Sequence, residues 1–135
     1  MACNTPILRG VFDSTTLQAV AADGVINFTN FTSNARCNTG EGGVITLRNP
    51  GTYIVHFNAV VSATAAGAQE IQMLRNGSPV AGAHAIETAA AVGDLASEAF
   101  TALVSVTRGT PTTIGFRAAN AMNIRVANVT IEEVN

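Results

Sequence analysis

One stretch with strict two-residue periodicity constrains the fold of this chain more than any other feature. Residues 51–61 place apolar or aromatic side chains at every second position, which is the period of a β-strand and not of a helix. The turn signature Asn49-Pro50-Gly51 precedes the stretch. We therefore expect residues 43–48 to form a strand that pairs antiparallel with it. The predicted core face carries Tyr53, Val55, Phe57, Ala59 and Val61, and the opposite face carries Ile54, His56, Asn58 and Val60.

Shorter strand patterns fill the rest of the chain. Residues 70–75 alternate and stop at Asn76-Gly77, a strong hairpin-turn pair. The apolar phase slips within residues 123–134, which predicts either a bulge near Asn128 or a strand covered on both faces. Clear strand patterns also lie at residues 100–106 and 112–117, and weaker ones at 7–12, 17–20 and 25–31.

The alanine-rich residues 83–99 are the one segment where a helix competes. Alanine favours helix, but Gly93 interrupts the segment and the apolar periodicity is poor. We predict a strand plus a loop here. The whole chain is then all-β, with about eight to ten short strands in the pattern of a sandwich or jelly roll. We expect residues 1–14 to form an N-terminal arm or first strand, and residues 15–135 a single jelly-roll domain.

The amino-acid composition limits the kinds of partner that the chain can have. The chain has 135 residues, of which 47% are hydrophobic and only 12% charged, against an average of about 25% charged residues. All seven basic residues are arginine. Either the composition has drifted towards small residues, or one flank is buried in an oligomer, and we favour the oligomer. The net charge of −2 and the dispersed arginines argue against a nucleic-acid partner.

The sequence shows neither a membrane span nor a secretory signal. No stretch reaches the roughly 18 apolar residues of a membrane-spanning helix, so we expect no membrane insertion. Residues 1–6 lack a basic head and an apolar centre. Assembly inside a cell with release by lysis fits this start, as does export by some other route.

Residues able to do chemistry are few and scattered. His56 lies mid-strand, which is typical of a hydrogen-bonded structural residue or an interface residue, and His84 has no acidic partner at strand or helix spacing. Single carboxylates near Glu41 or Asp94 lack the oxygens that calcium needs. Cys3 and Cys37 have no metal-ligand spacing, and the choice between a disulfide and two free thiols stays open. We expect no catalytic, cofactor-binding or metal site.

Several motifs in order resemble a known family. Residues 45–57, with Pro50-Gly51-Thr52-Tyr53 at their centre, resemble the tumour-necrosis-factor-like jelly roll. The likeness is to the branch with the globular heads of complement and short-chain collagens and their bacterial and phage relatives. Residues 18–28, 73–77, 104–109 and 124–131 resemble other strands and turns of that family in the same order. Thr110-Pro111 and the alanine-rich residues 81–99 depart from the family pattern.

The resemblance implies a jelly-roll sandwich of two antiparallel sheets with about ten strands, packed as a trimer around a threefold axis. It also implies a role in multivalent binding or surface architecture rather than hydrolysis. We expect a non-enzymatic structural or binding protein of a virion, such as a phage fibre, spike or capsid decoration head. Its partners would be two further copies of itself, other virion or surface proteins, and a glycan or protein of the host surface. The alternatives are a bacterial spore-surface or secreted adhesive head, and a carbohydrate-binding module. The residues predicted at or near the trimer interface are Tyr53, Ile54, His56, Val129 and Ile131.

Overall fold

The computed structural model describes residues 9–33, 38–41 and 43–134. These residues form eleven strands and no helix, which confirms the all-β prediction. No helix in this described part of the chain is long and apolar enough to span a membrane. The strands are β1 (Arg9–Ser14), β2 (Gln18–Val20), β3 (Asn30–Ser33), β4 (Asn38–Glu41), β5 (Val44–Leu47), β6 (Gly51–Ala63), β7 (Gly67–Arg75), β8 (Ser78–Ala89), β9 (Leu95–Val106), β10 (Thr112–Ala118) and β11 (Met122–Val134).

Two antiparallel sheets pack face to face as a jelly-roll sandwich. The larger sheet has the order β3-β1-β11-β6-β9, with β2 added beside β11, and the smaller sheet has the order β4-β5-β10-β7-β8. Part of the predicted N-terminal segment is thus β1, an interior strand that pairs with both β3 and β11. The two-sheet jelly roll that the family resemblance implies is confirmed.

The core lies between the sheets and is centred on β6. The five residues predicted to face the core from this strand are all buried, as its alternation requires. Phe57 stacks on Phe116 of the smaller sheet at a centroid distance of 4.6 Å and on Phe100 at 5.0 Å. The aromatic contacts therefore join the two sheets directly across the core.

The predicted pairing of residues 43–48 with the β6 stretch is wrong. β5 pairs with β4 and β10 in the smaller sheet, whereas β6 pairs with β9 and β11 in the larger sheet. The turn between them carries the chain from one sheet to the other. The Tyr53 hydroxyl donates a hydrogen bond to the Asn49 carbonyl oxygen at 2.7 Å, which ties β6 to the turn before it. Burial, and secondarily Glu133, raise the pKa of Tyr53 to about 12, so the hydroxyl keeps its proton.

The predicted bulge in the last strand exists, but it lies earlier than Asn128. The pairing of β11 with β6 shifts between Ile124 and Val126. Ile124 and Ala127 are both fully buried, so the buried positions change parity across the shift. Because the side chain of Ala127 is small, it gives no clear hydrophobic signal at the position where the buried side of the strand changes. In the sequence the change is first indicated by Val129.

The other local predictions largely hold. Asn76 and Gly77 have positive φ angles of 51° and 83° and join β7 to β8 in the expected hairpin. The alanine-rich segment is strand, turn and strand, without a helix in that range. Asp94 closes the turn, because its Oδ2 accepts hydrogen bonds from the Ala90 and Ala91 amides at 3.0 Å each. Of residues 25–31, by contrast, Val25 forms only a single bridge and β3 starts at residue 30.

Candidate functional site

The described residues contain no group of three or more His, Cys, Asp or Glu side chains that could hold a metal ion. Cys3 and Cys37 lie outside the described residues, as does any pairing between them. The two histidines do not converge. His56 is exposed on β6 of the larger sheet and His84 is exposed on β8 of the smaller sheet. The remaining candidates in the described part of the chain are its exposed surfaces and its buried polar groups.

The residues predicted at the trimer interface divide into two sets. Tyr53, Val129 and Ile131 are fully buried in the core of the single chain. They cannot contact another chain while the sandwich stays folded, so their placement at an interface is corrected. Ile54 and His56 lie on the opposite side of β6, where they are half-buried and exposed respectively. Their part in an interface stays a prediction.

The side of the larger sheet that points away from the core is called the outer face below. Strand register aligns its residues in rows. One row joins Val11 to Thr130, His56 and Thr101. The outer face comprises Val11 and Asp13 of β1, Val126, Asn128, Thr130 and Glu132 of β11, Ile54, His56, Asn58 and Val60 of β6, and Leu95, Ser97, Ala99, Thr101 and Leu103 of β9.

Polar groups of the outer face bond to one another. His56 Nδ1 lies 3.2 Å from Thr101 Oγ1 across the β6–β9 pair. Thr130 Oγ1 donates to Asn128 Oδ1 at 3.3 Å. These contacts satisfy part of the hydrogen-bonding capacity of the polar side chains within the sheet. If another chain covered the outer face, fewer polar groups would therefore be left without partners.

The β9 side of the outer face is free of charge. Its β6 and β9 residues include no Asp, Glu, Lys or Arg. Leu103 and Leu95 are 67% and 64% exposed on β9, which is the edge strand of the larger sheet. Edge strands are commonly protected by charged residues or proline, and this one has neither on its outer face. Its composition is that of a surface covered by another chain.

A second feature lies inside the sandwich, on the other side of β9. Glu98 is fully buried, and neither of its carboxyl oxygens has a hydrogen-bond partner among the described residues. Burial, followed by the charges of Glu87 and Glu70, raises its pKa from 4.5 to about 8. Glu98 is not among the residues predicted from the sequence to form a site. The sequence does contain a signal for its burial. Glu98 is separated from Phe100 and Val104 by an even number of positions along β9, so it lies on the same side of the strand as these two residues, which point towards the core.

The acidic partner of His84 comes from another strand, where spacing along its own segment could not reveal it. His84 Nδ1 lies 3.0 Å from Glu70 Oε2. The partner lies on the neighbouring strand β7, where Gln72 is the register partner of His84 and Glu70 is the next residue on that face. Both side chains are partly exposed, at 40% and 31%, so the pair contributes little to stability.

Comparison with known proteins shows likeness in structure and not in sequence. No family model matches the chain. A search of curated proteins also finds no match.

Solved structures cover nearly the whole chain. Eiger TNF from S. frugiperda matches with a TM-score of 0.75 and 10% identity, over 97% of this chain and 94% of its own. Murine APRIL at pH 5.0 matches with a TM-score of 0.72 and 10% identity, over 93% and 99%. The globular domain of zebrafish complement 1qA matches with a TM-score of 0.67 and 12% identity, over 96% and 97%. The chain is therefore a jelly-roll sandwich with the fold that tumour-necrosis-factor-like proteins share with complement globular heads.

Proposed function

We propose that this chain is a non-enzymatic binding and structural head that assembles as a homotrimer through the outer face of its larger sheet. The observation that carries the proposal is the uncharged β6–β9 half of that face. It ends in two exposed leucines on β9, an edge strand whose outer side carries no charged residue. The resemblance in sequence motifs implies threefold packing, and the fold is compatible with it.

The size of the outer face suits a stable interface. Its strands are up to 13 residues long, and four strands with a rise of about 3.3 Å per residue and a spacing of about 4.8 Å span roughly 40 by 15 Å. The resulting area of roughly 600 Å² approaches the roughly 800 Å² that each partner of a standard interface buries. The rim of the face carries Asp13 and Glu132, as expected where an interface meets water.

Sedimentation velocity at micromolar concentration tests the assembly. We expect the wild-type chain to sediment as a trimer and Leu103→Arg to sediment as a monomer, because a buried arginine without an acidic partner is strongly unfavourable. Ile86→Arg is the matched control, since Ile86 is 51% exposed on the edge strand of the other sheet. That variant should remain trimeric. A wild-type monomer, or equal sensitivity to both substitutions, would refute the proposal.

The absence of catalysis is part of the proposal. Glu98 is sealed inside the sandwich, and the two histidines face away from each other on different sheets. A reaction centre needs such groups to converge on one substrate. A carbohydrate-binding module is disfavoured because Tyr53 is fully buried and the chain has no tryptophan to stack on a sugar ring.

We place the trimer on a virion assembled in the bacterial cytoplasm, as a fibre, spike or decoration head. Three copies would raise weak affinities for a host-surface glycan or protein by avidity. Electron microscopy of purified particles, labelled with an antibody against this chain, tests the location. Label on phage particles is the expected result. Label on spores or cell surfaces instead would establish the alternative of a bacterial adhesive head.

A further inference from the structure

The two sheets meet at one side of the sandwich without hydrogen-bonded strand pairing. β8 is the edge strand of the smaller sheet and β9 is the edge strand of the larger sheet. The turn at residues 90–94 connects them. Each strand pairs with only one neighbour, β8 with β7 and β9 with β6. This junction, called the β8–β9 seam, is therefore closed by the side chains that face into it.

Most side chains that face into the seam are small. From β8 they include Ala83 and Ala89, which are buried, and from β9 they include Ala96 and Ala102, which are partly buried and pack against the core. On the same face of β9, Glu98 follows Ala96 and precedes Phe100. A long side chain with a titratable end thus occupies a position whose neighbours on this face are apolar.

One buried side-chain amide of the smaller sheet makes its hydrogen bonds within that sheet and its loops. Gln69 is buried on β7 and is the register partner of Glu87. Its Nε2 donates to the carbonyl oxygens of Ala65 and Gly67, both at 3.2 Å. Its Oε1 accepts from Asn120 Nδ2 at 3.1 Å. The amide therefore offers Glu98 no hydrogen bond, in agreement with the two carboxyl oxygens that lack partners.

We infer that Glu98 is a proton-operated latch of the β8–β9 seam, which keeps the seam closed while its carboxyl group is protonated and opens it when the group ionises. A neutral carboxyl group can stay in an apolar surrounding at modest cost. An ionised one without a partner is strongly unfavourable there, and the favourable response is to move into water. At this site the movement requires β8 and β9 to separate.

The charged groups that act on the latch both disfavour ionisation of Glu98. Glu87 on β8 and Glu70 on β7 both disfavour a negative charge on Glu98. Glu70 also contacts His84. β6 presents Ala59 as the register partner of Glu98. The two titratable residues of β6 lie elsewhere, His56 on the outer face and Tyr53 beside Asn49 at the start of the strand. The charges that shift the pKa of Glu98 are therefore both acidic.

The pH dependence of the latch follows from proton linkage. The closed seam holds the pKa of Glu98 near 8, whereas an opened seam returns the carboxyl group to water and to its ordinary value. The equilibrium constant for opening should then rise about tenfold per pH unit between about pH 5 and pH 8, and level off above that. Acidification closes the seam and alkaline conditions open it. This behaviour does not require self-association.

Hydrogen exchange read by mass spectrometry tests the latch on the full chain. After correction for intrinsic exchange rates, amides of β8 and β9 should lose protection about 100-fold between pH 5.5 and pH 7.5. Amides of β1 and β5 lie at the opposite side of the sandwich and should keep their protection from exchange. Local opening of these two strands leaves Glu98 buried, so it does not depend on the ionisation of Glu98. Equal loss in all four strands would mean that Glu98 acts only through global unfolding, and it would overturn the latch.

Variants separate ionisation from packing. Glu98→Gln should abolish the pH dependence in β8 and β9, whereas Glu132→Gln, which changes an exposed glutamate of β11, should leave it intact. Glu87→Gln should make the opening curve level off at a lower pH and should reduce opening above that pH, because it removes a charge that disfavours ionised Glu98 in the closed seam. An unchanged opening curve in Glu98→Gln would overturn the inference.

A direct measurement needs no variant. Carboxyl-carbon NMR of the wild-type protein should show one of its glutamates titrating near pH 8. The inference fails if every glutamate titrates below pH 6.

Discussion

Replacing Glu98 with glutamine should stabilise the protein at neutral and alkaline pH. Glutamine keeps the length and shape of the side chain and removes its ability to ionise. The native structure raises the pKa of Glu98 from 4.5 to about 8, so the unfolded chain loses a proton that the folded chain must keep. Stability contributed by this group is complete below about pH 4.5 and declines as the pH rises towards 8.

The magnitude follows from the two pKa values. Each pH unit between them corresponds to about 1.4 kcal/mol. At pH 7 the wild-type glutamate therefore lowers the free energy of unfolding by about 3 kcal/mol, and near pH 8 by about 4 kcal/mol. Because Glu98 is fully buried, little solvent screening reduces the effect. The buried glutamine amide also lacks a partner, but that cost does not change with pH.

Urea denaturation at pH 5, 6, 7 and 8 measures the effect, at one fixed protein concentration because self-association would add to apparent stability. The advantage of Glu98→Gln over wild type should grow by about 2–3 kcal/mol between pH 5 and pH 7. Glu132→Gln serves as the control and should follow the wild-type curve. A difference between Glu98→Gln and wild type that stays constant with pH would refute the reasoning, as would wild-type stability that rises towards pH 8.

Three further substitutions test the packing and the turns. Phe57→Ala removes the ring that stacks on Phe116 of the other sheet. It should lower the free energy of unfolding, measured by urea denaturation, by about 3–5 kcal/mol. A loss under about 1 kcal/mol would contradict that role. Tyr53→Phe should cost about 1–2 kcal/mol by leaving the Asn49 carbonyl without its donor, and an unchanged urea midpoint would show that the corner contact is dispensable. Asp94→Ala should cost about 1 kcal/mol and should increase hydrogen exchange at the two amides that it now holds, while the Asn76-Gly77 hairpin serves as an unaffected internal control.

Features with a local physical cause were predictable from the sequence. The alternation of β6 predicted its buried face correctly, because a strand whose one side is apolar has one favourable orientation. The β7–β8 hairpin followed from Asn76-Gly77, whose positive φ angles few other residue pairs adopt easily. The family resemblance predicted the two-sheet jelly roll that the structural comparisons confirm.

Errors arose where the sequence pattern fits two arrangements equally well. The turn at Asn49 to Gly51 satisfies the requirements of a hairpin and of a crossing between sheets, and only the pairing of β5 with β10 distinguishes them. In β11 the parity change passes through Ala127, whose small side chain gives no hydrophobic signal. These ambiguities are resolved by packing against strands that are distant in the sequence.

The candidate sites depended still more on the tertiary structure. The residue pattern by itself determined an all-β sandwich with Ile54 and His56 on the outer side of β6. Only the folded chain decided that Val129 and Ile131 belong to the core, that His84 reaches Glu70, and that Glu98 is sealed without a partner. Alternation is a property of one strand and can be seen in its residues. The environment of a side chain is created by the strands that pack against it, and strand order and register set that environment after the chain has folded.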